Sequence, residues 1–337
     1  MEHFGNLPDG TKVHRIVITG GGLTASFLTY GAILQNLQLE GHASPLVLGF
    51  PEFPNYLNDS PYFGATAGRF ANRIRDGHLQ LDDNVFQLDQ NFMGKHCLHG
   101  GNLGVGKRNW EVIQYGGHFV CMKIALQDGE MGFPGNMIVE ANFQLLLSGT
   151  LDITYTATTD SPTLCNLTHH SYFNLSGEHD VRQHVLQVDA NHFLPVNNEL
   201  IPTGEVKPTT DHDFDFRAAK SLASVTKNHL IDHNFCLSDS KILKQVATLY
   251  SPKSDIKMIC KTTEPGLQIY AGSKVNTNNP GLQGTKMGAY AGLAMEAQLW
   301  PDANHHEHFP SAILTPEKTY YHNTQYIFSK ANDTHEQ

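Results

Sequence analysis

The 337-residue sequence predicts an all-β protein, an antiparallel sandwich or barrel with few short helices. Apolar and polar residues alternate with period two in stretch after stretch. Thirty glycines and 16 prolines set turns at frequent intervals. No helical pattern alternates with the strands, which excludes a βαβ architecture. The chain shows no internal repeat and no low-complexity linker, so residues 1–337 read as a single domain.

In chain order, alternation begins at Leu23-Thr24-Ala25-Ser26-Phe27, breaks near Tyr30-Gly31 and resumes at Asn36-Leu37-Gln38-Leu39. Leu79 and Leu81, a polar Asp82-Asp83-Asn84 turn, then Phe86 and Leu88 form a hairpin pattern. Val139, Ala141, Phe143 and Leu145 alternate with polar partners, as do Leu151, Ile153, Tyr155 and Ala157. The Ser148-Gly149 turn makes these two runs an antiparallel pair. The pattern returns at Ile256, Met258 and Cys260, and at Leu267 and Ile269, where Gln268 and Tyr270 fall on the opposite face. Only Phe216 to Val225 has helical spacing, over a short span.

Composition narrows the function. A formal net charge of −10 leaves no basic footprint for nucleic acid or for an anionic membrane. Five widely spaced cysteines with no Cys-x-x-Cys pair suit reduced thiols better than a disulfide framework or a zinc knuckle. Neither a signal-peptide pattern nor an apolar run of membrane-spanning length is present, so a soluble, cytoplasmic protein is expected.

Several stretches hold more polar chemistry than a strand interior needs. In Asn166 to Leu175, apolar Leu167, Tyr172, Phe173 and Leu175 enclose His169, His170 and short polar side chains, a densely bonded turn or a surface facing a polar ligand. Gly64 to Ile74 combines small residues with Arg69 and Arg73, whose planar donor forks suit hydroxyl oxygens as well as carboxylates. His99 precedes the Gly100-Gly101 turn, and Asp232 stands beside His233. Glu296 lies within the apolar run Leu293 to Pro301, where a carboxylate must be paired or shifted toward its neutral form, which marks it as a candidate base. His305-His306-Glu307-His308 lacks the spacing of a helical zinc motif and sits between prolines, so it reads as a solvated loop and no metal is expected.

Taken together, these residues resemble the aldose 1-epimerase (galactose mutarotase) family. The match follows the chain in order through Tyr30-Gly31-Ala32, Val47 to Phe50, Gly68 to Ile74, Leu98 to Gly101, Asp128-Gly129-Glu130 with Pro134-Gly135-Asn136, and Asn166 to Leu175. It continues through Leu194-Pro195-Val196 with Ile201 to Glu205, Phe214 to Arg217, Asp232 to Phe235, and Glu296 to Pro301. The resemblance implies a large antiparallel β-sandwich with a sugar cleft and, position by position, Glu296 as catalytic base, His170 as catalytic acid and His99 as a second active-site histidine; to protonate the ring oxygen, His170 would act in its imidazolium form. Asn72, Arg73, Asp232 and Gln268 would hold sugar hydroxyls. It implies interconversion of the α and β anomers of free aldohexoses such as galactose and glucose, with no cofactor, by a monomer or homodimer whose partner is the sugar alone. A non-catalytic sugar-binding protein and a hexose-6-phosphate 1-epimerase are the alternatives, and a glycoside hydrolase would need a second carboxylate such as Asp232 facing Glu296. Two stretches depart from the family pattern: His169 replaces an asparagine, and Gly104-Val105-Gly106-Lys107-Arg108 replaces Gly-Phe-Asp-Lys-Arg.

Overall fold

The computed structural model describes residues 1–238 and 240–331. Its longest alternating run, Met137–Leu146, pairs with Thr150–Thr159 from Met137 opposite Thr159 to Leu146 opposite Thr150. One face of this hairpin, from Val139 and Phe143 to Ile153 and Tyr155, is buried, and the other looks outward. Ser148 and Gly149 both adopt positive φ in the connecting turn.

The hairpin belongs to a nine-stranded antiparallel sheet. Its order is Glu111–Tyr115, Phe119–Leu126, Met137–Leu146, Thr150–Thr159, Tyr320–Lys330, Ile256–Thr262, Lys244–Ser251, Val185–Val188 and Lys220–Ser221. Tyr320–Lys330 follows every other described strand in the chain and yet lies at the middle of the sheet. A six-stranded sheet runs Tyr172–Phe173, Leu293–Gln298, Gly266–Tyr270, Asp232–Cys236, His192–Phe193 and Lys207–Pro208. A four-stranded sheet is built from Glu2–Asn6, Lys12–Gly20, Leu23–Leu28 and Ile33–Leu39.

One apolar cluster from Ile16 to Phe328 draws on all three sheets. Phe27 packs on Phe143 at 4.5 Å between ring centroids, and Phe173 on Tyr326 at 4.8 Å. The Tyr326 hydroxyl donates to the Met295 carbonyl at 2.7 Å. The middle strand of the large sheet is therefore fastened directly to the strand that carries Glu296, and the arrangement is a sandwich.

The helical expectation for Phe216 to Val225 needs correction. Only Leu222–Thr226 is helical, opened by the Ser221 hydroxyl accepting the Ala223 N–H. Upstream, Lys220 and Ser221 pair with Leu186 and Val185, and the Arg217 guanidinium bonds to Asp215, so sheet pairing overrides the local spacing. The helix Pro54–Asn58 is too short to show a period. No described helix is long and apolar enough to cross a membrane.

Candidate functional site

Strand parity builds one wall of the site. Gln268 lies opposite Glu296 across the Gly266–Tyr270 and Leu293–Gln298 pair, while Asp232 lies opposite Tyr270. Alternate residues share a face, so Leu267, Ile269, Met295 and Ala297 enter the apolar core. Glu296, Gln268, Tyr270 and Asp232 are left on the other face.

The same parity divides the adjacent histidines. Thr168–His170 pairs with Ala65–Ala67, and His169 turns inward between Phe143 and Tyr326, at 6.2 and 6.3 Å between centroids. Its Nε2 bonds to the Ser171 hydroxyl at 2.7 Å, and burial pulls the imidazole down to about 3. His170 faces the other way, with Nε2 3.4 Å from the Glu296 Oε2.

His99 arrives on a turn. It follows Leu98, which pairs with Arg73, and takes a φ of +50°. Gly100 then has a φ of +83°, and a Cβ there would stand 2.0 Å from the Gly68 carbonyl oxygen, so glycine is required. The Asn72 backbone N–H donates to His99 Nδ1 at 3.1 Å. In the neutral ring the hydrogen therefore sits on Nε2. The His99 and His170 rings lie 5.2 Å apart.

Arg73, Asn72, Asp232 and Gln268 form one polar network. The Arg73 guanidinium lies 3.3 Å from Asp232 Oδ2 and donates to the Asn72 side-chain oxygen at 3.3 Å. Gln268 Nε2 donates to Asp232 Oδ1 at 2.6 Å. Arg69 has a different fate: it is buried, and its guanidinium donates to the carbonyls of Gln127, Pro134 and Gly135.

These groups surround a cleft of about 230 Å³, on the scale of one monosaccharide. Asn72, Arg73, His99, His170, Asp232 and Glu296 line it, whereas Gln268 is buried and reaches it through Asp232. Sequence reasoning missed Tyr62, Phe92 and Tyr172 as walls. Tyr270 was placed on the correct face without a role, and the loop residues Tyr62 and Phe92 give no periodic signal. A larger hollow bounded by Gln187, Arg217 and Thr248, about 320 Å³, contains no comparable acid–base pair.

Electrostatics set the proton count. Burial raises Glu296 well above the usual carboxyl value, with Asp232 adding to the effect and Arg73 opposing it. Burial also lowers His170 to about 4, and lowers His99 well below its ordinary value. Both shifts favour the uncharged forms of this carboxyl and this imidazole. The neutral carboxyl–imidazole pair and the imidazolium–carboxylate pair differ by one proton shift between atoms 3.4 Å apart.

Donor atoms of His99, His170 and Glu296 all lie within 4.8 Å of one another, a set from which a metal site could be built. The Asn72 N–H opposes that use. Ligation through His99 Nε2 would move its hydrogen to Nδ1, against the N–H already donating there. The His305 to His308 segment begins on the last residue of a short 3-10 turn, Ala303–His305, and continues as loop, less solvated than expected. His305 and His306 are half-buried, and His305 Nδ1 donates to the buried Asp302 carboxylate at 2.6 Å.

The sandwich thus holds a buried carboxyl–imidazole pair beside a cleft lined by polar side chains, the architecture of a small-molecule enzyme site. Comparison with known proteins narrows this further. The aldose 1-epimerase family model matches residues 14–327. The galactose mutarotase of Sus scrofa is 36% identical, covering 97% of this chain and 98% of its own. The aldose 1-epimerase of Haemophilus influenzae is 32% identical, covering 96% and 98%. An aldose epimerase homologue from C. elegans superposes with a TM-score of 0.90 at 32% identity, over 95% of this chain and all of that one. The chain belongs to the aldose 1-epimerase family, and is an isomerase that interconverts the anomers of aldoses.

Proposed function

We propose that Glu296 and His170 exchange the two protons of ring opening in a free aldohexose such as galactose or glucose. Interconverting anomers requires removal of the proton on the anomeric hydroxyl and delivery of one to the ring oxygen. The aldehyde end then turns, and the ring closes with the two transfers reversed. In the imidazolium–carboxylate form, Glu296 takes the anomeric proton and His170 protonates the ring oxygen. His99, with its hydrogen held on Nε2 by Asn72, donates a hydrogen bond at that oxygen. Arg73 and Asn72 anchor the sugar hydroxyls directly, while Gln268 steadies Asp232.

The observation that carries this reading is the 3.4 Å contact between His170 and Glu296 at the cleft. A filled acid–base pair distinguishes it from a purely sugar-binding protein. A hydrolase is disfavoured because Arg73 and Gln268 engage both oxygens of Asp232, leaving no free second carboxylate beside the bond to be cleaved. We further propose one catalytic domain over residues 1–337, acting as a monomer or homodimer in the cytoplasm. All five cysteines are free thiols, which supports a reducing compartment.

Polarimetry with freshly dissolved α-D-glucose, α-D-galactose and a hexose 6-phosphate tests the proposal. The free hexoses should equilibrate far above the spontaneous rate, and Glu296→Gln should reduce that acceleration by about 10²-fold or more while the protein stays folded. Near wild-type rates in the variant would overturn the assignment of the base. Faster turnover of the 6-phosphate would favour the hexose-6-phosphate reading.

A further inference from the structure

Tyr62 carries features that no step above uses. It is a bulky residue at a φ of +65°, a left-handed conformation that side chains of this size rarely adopt. Its surroundings hold it there: the Ala65 N–H donates to its carbonyl at 3.1 Å, Phe63 N–H donates to the Ser60 hydroxyl, and the Tyr172 hydroxyl donates to the Pro61 carbonyl. The ring lies 4.7 Å from His99 and 6.0 Å from His170, inclined only 23° to the latter. His170 also stacks on Tyr172, at 5.1 Å and 28°. The Lys107 ammonium sits 5.3 Å from the centroid of Tyr62, and the ring lines the cleft. No described hydrogen bond joins the Tyr62 hydroxyl to Glu296, His170 or His99.

We propose that Tyr62 is a positioning residue that acts through His170 and His99, walling their rings off from water and fixing the plane of the His170 imidazole. The inference rests on the acid–base reading of Glu296 and His170. An imidazole confined against two tyrosine rings has little freedom to rotate, so Nε2 stays directed at Glu296. Shielding from water also disfavours the charged ring, in keeping with the depressed value of His170. The groups facing His170 are Glu296 on the Leu293–Gln298 strand, Asp232 and Arg73 across the cleft, His99 and Tyr172 beside it, and Lys107 beyond Tyr62. A second proton on this pair leaves no base, so the acid limb of the rate profile reports how readily His170 charges.

The test pairs Tyr62→Phe with Tyr62→Ala. Two readouts are used: NMR titration of the His170 imidazole, assigned by its loss in His170→Asn, and kcat and KM by polarimetry across pH. Tyr62→Ala should raise the His170 midpoint by about one pH unit and move the acid limb with it. It should also lower kcat about tenfold while KM changes less than about threefold. Tyr62→Phe, which keeps the ring, should retain most of kcat and the wild-type midpoint. An unchanged midpoint in Tyr62→Ala, or a loss confined to KM, would overturn the proposal. If Tyr62→Ala does not fold, Tyr62→Leu replaces it, with a raised midpoint again required. If the wild-type protein accelerates no aldose, the proposed function fails, while the titration still decides whether Tyr62 shields His170.

Discussion

His169 and His170 are chemically identical neighbours whose environments differ because one peptide unit reverses the face of a strand. His169 has one bonded nitrogen, on Ser171, and packs among core aromatics, so an asparagine there would lose ring contacts and retain a polar group. His170 meets Glu296. His169→Asn should therefore cost stability, on the order of 1–3 kcal/mol, and leave most of kcat. His170→Asn also gives up ring contacts, to Tyr62 and Tyr172, but unlike His169→Asn it should remove nearly all of kcat. Urea unfolding and polarimetry on both variants read the two effects separately, and equal losses of kcat would show that the pair has been divided wrongly. Arg69 and Arg73 teach the same lesson. Both belong to one family motif, but Arg69 binds carbonyls in the interior and only Arg73 reaches the cleft. Spacing alone could not separate them, since their partners come from distant segments.

At the scale of elements, legibility followed exposure. Met137–Leu146 and Thr150–Thr159 were readable because one face is wet and the other dry, which writes alternation into the sequence. Leu293–Gln298 is buried on both faces and shows no alternation, so its position as a strand was hidden although Glu296 stood out as a carboxyl among apolar neighbours. The turn that presents His99 was visible only as glycines, and its left-handed geometry was not. That geometry supports a prediction. Gly100→Ala places a methyl against the Gly68 carbonyl at a φ of +83°, and the turn must shift. Stability should fall by about 1–3 kcal/mol. Because His99 is the preceding residue, kcat should fall as well. Wild-type denaturant midpoints and rates in this variant would contradict the account of the turn.

For the whole molecule, several buried neutral histidines set its response to acid. His169 and His322 are lowered to about 3, and His184 and His233 to about 4, in each case chiefly by burial. Unfolding returns them to about 6.5, so the unfolded chain binds more protons below that pH. Stability from these groups is fully present above about 6.5 and declines as pH falls toward 4, by up to about 1.4 kcal/mol per unit of separation for each group. Denaturant midpoints measured from pH 7 down to pH 4 should fall steadily, and His322→Gln should flatten the slope. A pH-independent midpoint over this range would contradict it.

The placement of Tyr320–Lys330 has a consequence for how the protein is made. This strand is synthesised after all the others described, yet the large sheet needs it between Thr150–Thr159 and Ile256–Thr262. Until it leaves the ribosome, two long strands present unpaired edges, and the Met295 carbonyl lacks the Tyr326 hydroxyl. A nascent chain therefore carries Glu296 and both cleft histidines before it owns the segment that closes the sheet beneath them. Over that interval its open edges are free to pair with other chains, so the last strand to be made also ends the period of greatest exposure to aggregation.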